Sequence, residues 1–139
     1  MDNNAIITVK GNQSLNNDSS DIEIITEGIF KKSESGYTIQ YNETEMTGFE
    51  GTTTTLNVSD GSVTLIRTGS NNSSMIFEKG QKYMGHYETP YGSFTIGIIS
   101  NKVNIDLTDS GGNIQVGYLL EIDNLVTSTN SITLSIREL

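Results

Sequence analysis

Apolar and polar residues alternate with a period of two along most of this chain, and only an extended strand sends successive side chains to opposite faces. The clearest runs lie in the second half. Val103, Ile105 and Leu107 alternate with Lys102, Asn104 and Asp106; Ile114, Val116, Tyr118, Leu120 and Ile122 alternate with Gln115, Gly117, Leu119 and Glu121; Ile132, Leu134 and Ile136 alternate with Thr133, Ser135 and Arg137. In the first half, Tyr37, Ile39 and Tyr41 oppose Thr38, Gln40 and Asn42, and Val63 and Leu65 share a face with Arg67. From Ile22 to Phe30 one face reads Ile22, Ile24, Thr26, Gly28, Phe30, with Gly28 marking a bend or bulge. Further strands are predicted over Ala5 to Lys10, Thr54 to Ser59, Met75 to Glu78, Lys82 to Glu88 and Ser93 to Ser100.

Turn chemistry separates these runs. Asp60-Gly61 tolerates the positive φ of a hairpin turn, and Ser110-Gly111-Gly112-Asn113 and Lys79-Gly80 act similarly. Thr89-Pro90-Tyr91-Gly92 places proline second and glycine fourth, as a β-turn favours. Gly11 to Ser20, nearly all Asn, Ser, Gln, Gly and Asp, reads as a mobile connection. No stretch of ten residues carries the i, i+3, i+4, i+7 apolar stripe of a helix, so little helix is expected. Nine or ten short strands joined mostly by hairpins call for an antiparallel meander, and closure is the arrangement that removes its exposed edges. The expectation is therefore an all-β fold, a single antiparallel barrel of about 8 to 10 strands spanning residues 1–139 as one domain.

Composition narrows the chemistry. Eight basic against seventeen acidic residues give a net charge of −9, which repels nucleic-acid phosphates and anionic membrane surfaces; neither is expected as a partner. There are no cysteines, which excludes disulfides, thiolate metal sites and thiol nucleophiles. The start of the chain lacks the basic and apolar regions of a secretory signal, and no window reaches membrane-spanning length, so a cytoplasmic location is expected. Asn-x-Ser/Thr triplets at Asn42, Asn57 and Asn71 acquire no meaning without secretion. Phosphate-cradling glycine motifs are missing, and no cofactor is expected.

The order of Arg67-Thr68-Gly69, then Met75-Ile76-Phe77-Glu78-Lys79-Gly80, then Tyr87-Glu88-Thr89-Pro90-Tyr91-Gly92, followed by Gly111-Gly112-Asn113-Ile114 and Tyr118-Leu119-Leu120, resembles the YwiB-like family of small bacterial proteins. The resemblance runs over nearly the whole chain. It implies a lipocalin-like, or calycin, β-barrel. Because the family is a domain of unknown function, it supplies no catalytic residues.

Arg67 is the most informative candidate, since its phase turns a permanently charged guanidinium toward the interior. It is read either as an anchor for an anionic group in a cavity or as a structural cation bonded to the protein itself. Met75, Phe77, Tyr83, Tyr87 and Tyr91, with Phe94 nearby, are residues that line apolar pockets and fill cores equally well. His86 beside Glu88 is the one imidazole; without a nucleophile elbow it reads as a surface residue rather than a catalytic one. Glu43, Glu45 and Glu50 form an acidic cluster that resembles a solvated face more than a carboxylate pair. The Asp106 to Asn113 stretch lacks the pattern of a calcium loop.

The leading expectation is a non-catalytic barrel whose ligand-binding residues are Arg67, Met75, Phe77, Tyr83, Tyr87 and Tyr91 and whose ligand is a small apolar or anionic molecule. The alternative is a solid barrel that associates through its surface. Outward-phased Ile25 and Ile29, or Ile66 and Leu119, would then form a homodimer patch.

Overall fold

The computed structural model describes residues 3–15, 18–44, 50–70, 72–89, 92–122 and 125–139. In them the alternating runs become ten strands: β1 (Ala5–Leu15), β2 (Asp18–Lys32), β3 (Gly36–Asn42), β4 (Thr52–Ser59), β5 (Ser62–Gly69), β6 (Asn72–Glu78), β7 (Lys82–Thr89), β8 (Gly92–Thr108), β9 (Gly111–Ile122) and β10 (Leu125–Glu138). Each strand pairs antiparallel with the next, and β1 also pairs with β10, so the meander closes into a barrel. None of the described residues is helical. The C-terminal ends of β1, β3, β5, β7 and β9 share one end of the barrel, here the mouth. The turns after β2, β4, β6 and β8, with Ala5 and Glu138, share the other, the floor.

Register stacks the inward side chains into layers. On one half, Tyr37, Val58, Val63 and Phe77 lie side by side nearest the floor, and Ile39, Leu56, Leu65 and Met75 form the layer above. On the other half, Ile105, Ile114, Leu134, Val9 and Ile24 make an equivalent row. Phe77 packs against Tyr118 with ring centroids 4.9 Å apart, joining the two halves. At the floor the β2–β3 and β8–β9 turns meet: the Tyr37 hydroxyl donates to Asp109 Oδ1 at 2.8 Å, and Lys32 Nζ lies 3.9 Å from the same oxygen. Asn4 helps close the barrel, its side-chain amide both donating to Phe30 O and accepting from Phe30 N at 2.8 Å.

Four local expectations change. Most of Gly11 to Ser20 is strand rather than a mobile connection: Gly11–Leu15 extends β1 and Asp18–Ser20 opens β2, while Asn16 and Asn17 lie outside the described residues. Pairing with each other and with β10 satisfies these backbones, and the polar side chains are tolerated because this part of the wall rises toward the mouth. The runs before and after Asn101 are one strand, β8, with a register shift between Ser100 and Lys102. The turn after β8 is tighter than Ser110 to Asn113 suggested, since strand resumes at Gly111. Gly28 marks a close approach instead of a break in its pairing with β1. A Cβ there would lie 2.4 Å from both Gln40 O and Ile7 Cδ1. The predicted turn at Pro90 and Tyr91 lies outside the described residues.

Candidate functional site

The inner wall changes character one layer above Met75. Here the neighbouring inward positions are Tyr41, Thr54, Arg67, Ser73, Tyr87 and Phe94 on β3 to β8. The facing half carries Ser100, Tyr118, Asn130, Gln13 and Ser20. Large aliphatic side chains give way to aromatic, small and polar ones, and a cavity of about 690 Å³ lies beside them. Its apolar wall comes from Met75, Ile96, Leu120, Ile122, Ile132 and Ile22. Arg67, Ser73, Tyr87, Tyr118 and Asn130 contribute polar groups. Phe94 and Gln13, both exposed, stand at the mouth.

Arg67 sits near the end of β5, where alternation has carried it inward in phase with Val63 and Leu65, and its side chain is only 14% exposed. Its counter-charge is Glu43, which continues the inward phase of Tyr41 beyond β3 and is tied back by its N–H to Thr52 O at 2.9 Å. The Glu43 side chain is 2% exposed, and Arg67 Nε lies 3.9 Å from its Oε1, close enough for charge attraction though beyond a hydrogen bond. Thr54, fully buried, donates its hydroxyl to the same oxygen at 2.7 Å. Two phenols feel the pair. Burial pushes the Tyr41 hydroxyl well above its usual range, and the Glu43 charge adds to that while Arg67 opposes it. Burial raises Tyr118 as well, with Arg67 again pulling the other way. Ser73 Oγ, buried in the wall beside Arg67, has no hydrogen-bond partner among the described residues.

Of the residues singled out from sequence, Arg67, Met75 and Tyr87 line the cavity together. Phe77 lies in the packed layer beneath. Tyr83 is not among the lining residues; it donates its hydroxyl to Glu78 Oε1 at 2.9 Å near the floor. Tyr91 and Glu45 lie outside the described residues. His86 and Glu88 face solvent on the outside of β7, paired at 3.0 Å and away from the cavity. Sequence reasoning put Glu43 on a solvated acidic face, whereas its inward phase beyond β3 buries its side chain to 2% exposure, and it did not single out Ser73, Tyr118 or Asn130 as site residues. The available signal was phase, because Glu43 is two residues beyond Tyr41 and Ser73 two before Met75. No group of three or more histidine or acidic side chains suited to a metal occurs among the described residues.

These features define a closed antiparallel ten-strand barrel, hollow toward one end, with a buried arginine–glutamate pair in the chamber wall. The chain belongs to the family described as Domain of unknown function (DUF1934), which matches residues 7–134. It is similar in structure to the ywiB protein from Bacillus subtilis, with a TM-score of 0.87 and 18% sequence identity over 98% of this chain and 92% of that one. The match and the family agree with the YwiB-like resemblance read from the sequence, and at this identity the structural likeness shows a shared fold. No curated protein matches the sequence.

Proposed function

We propose that this protein is a non-catalytic barrel that binds one small, largely apolar molecule in its chamber, in the manner of a lipocalin-like carrier. The observation that carries the reading is the cavity itself. At about 690 Å³ it falls within the range of small-molecule sites, and its aliphatic wall with a few convergent polar groups has the usual composition of one. A solid barrel acting only through its surface has no use for this space. No helix among the described residues is long and apolar enough to cross a membrane. The cysteine-free, acidic chain suits a reducing compartment, and we place it in the cytoplasm on that ground.

Thermal unfolding with straight-chain alcohols, fatty acids and neutral aromatic compounds tests this reading. A true ligand raises Tm with concentration, by the equivalent of about 2.7 kcal/mol at a hundred times its Kd. Leu120→Trp, which puts an indole into the chamber, abolishes the shift. The reading fails if no compound raises Tm and the neutral dye Nile red gains no fluorescence with the wild-type protein.

A further inference from the structure

We infer that the chamber selects amphiphiles with an uncharged polar end and that Arg67 is not a carboxylate anchor; this rests on the binding reading above. Among the described residues, the charged residues lining the cavity are Arg67 and Asp21, and alternation along β2 turns the Asp21 side chain outward, opposite to Ser20 and Ile22. The Arg67 charge is already answered inside the wall by Glu43, whose own side chain is more deeply buried than the guanidinium it faces. An anionic head placed beside Arg67 would therefore give this part of the site a net negative charge in a poorly solvated space, where an uncompensated ion is costly. Asp21, whose exposed side chain accepts a hydrogen bond from Asn12 on the outer face of the wall near the mouth, adds negative charge at the entrance rather than inside the chamber. The whole chain, at −9, repels an approaching anion as well.

What the wall offers instead is hydrogen bonding. Ser73 Oγ is the second, independent pointer. It belongs to a residue only 5% exposed, lines the cavity, and has no partner among the described residues. A hydroxyl can donate to or accept from an alcohol, amide or ester group without importing charge. Asn130 lines the same space, its amide donating to Ser128 Oγ at 2.9 Å. The ligand class is thus a neutral amphiphile with its polar end at the Arg67–Ser73 layer and its apolar chain against Ile96, Leu120 and Ile122.

The test compares decan-1-ol with decanoate at pH 8 by Nile red displacement, because the two probes share a chain and differ in head charge. A greasy pocket alone favours the alcohol, so the decisive quantity is how the decanol-to-decanoate affinity ratio moves between variants. Glu43→Gln leaves the arginine charge unbalanced and is expected to shift the ratio toward decanoate by about tenfold or more. The double variant Arg67→Met with Glu43→Gln removes both charges, restores neutrality and is expected to keep the ratio within about threefold of wild type. A wild-type protein that prefers decanoate overturns the inference, as does a double variant that loses decanoate selectively by about tenfold or more. Either result leaves the binding reading standing. Failure of both probes to displace the dye removes the binding reading and this one with it. Because the double variant buries no lone charge, it decides the question even if Glu43→Gln alone does not fold.

Discussion

Arg67→Met is the most exacting perturbation of this barrel, because it deletes the cation while leaving the Glu43 carboxylate in place at 2% exposure. The remaining charge keeps the hydrogen bond from Thr54 at 2.7 Å and its interaction with the Tyr41 hydroxyl, but loses its countercharge. Stranding a buried charge in this way costs about 3–5 kcal/mol when the pair is tight. The 3.9 Å separation argues for the lower end, about 3 kcal/mol, or about 10 °C in Tm for a chain of this length. Glu43→Gln strands the guanidinium instead, which is 14% exposed and partly solvated, so its cost is smaller, about 2 kcal/mol. The double variant removes both charges and is expected within about 1 kcal/mol of wild type. Urea unfolding followed by circular dichroism and by tyrosine fluorescence, the chain having no tryptophan, measures all four proteins. A single substitution costing under about 0.5 kcal/mol, or a double variant as unstable as the summed singles, would show that the charges do not compensate each other.

Three further outcomes follow from the same geometry. Tyr41 and Tyr118 hold their protons more tightly when folded than the ordinary value of 10.0, so unfolded chains release them first as pH rises. Stability is thus intact below pH about 10 and falls above it, by up to about 1.4 kcal/mol per pH unit for each phenol; Tyr41→Phe and Tyr118→Phe flatten that slope in Tm measurements from pH 9 to 12. Gly28→Ala forces a Cβ to within 2.4 Å of the Gln40 carbonyl and Ile7 Cδ1 and is expected to cost about 2 kcal/mol or more; a Tm within 2 °C of wild type, about half a kcal/mol, refutes the close approach. Ser73→Ala removes a buried hydroxyl that has no partner among the described residues, and in the unliganded protein it leaves Tm unchanged or raises it by the equivalent of up to about 1 kcal/mol. The same change weakens decanol binding, whereas a purely structural hydroxyl would leave that affinity alone.

Strand faces were legible because a period of two is a local property: Val63, Leu65 and Arg67 need only their own spacing to be assigned to one side. Height within the barrel is not local. Tyr83 and Tyr87 share a face of β7, yet one sits near the floor on Glu78 and the other lines the chamber. Only the pairing of Ser73 with Tyr87 and of Arg67 with Ser73 brings the latter level with the guanidinium. Glu43 was hidden for a related reason. Its neighbours Glu45 and Glu50 make it look like one more acid on a solvated stretch, and the pairing of β3 with β4 is what shows it beside Thr54. The polar run Gly11 to Ser20 misled because composition speaks for loops, while cross-strand hydrogen bonds to β10 are indifferent to side-chain polarity.

The position of the chamber is written in side-chain size as much as in polarity. In the layer holding Ile39, Leu56, Leu65 and Met75, large side chains are buried together in the hydrophobic core. One layer higher, threonine and serine flank Arg67 on β4 and β6, and the opposite wall offers Ser100, Asn130 and Ser20. Small residues at inward positions of a closed barrel leave volume that the backbone cannot collapse to remove, because the ladder of ten paired strands fixes the circumference. A self-filling barrel would need bulk there. If the void is only a packing accident, replacing Ser73 with leucine fills it and stabilises the fold at no functional cost. If it is a binding site, the same substitution raises Tm while abolishing the ligand-induced shift, and that separation of stability from binding distinguishes the two.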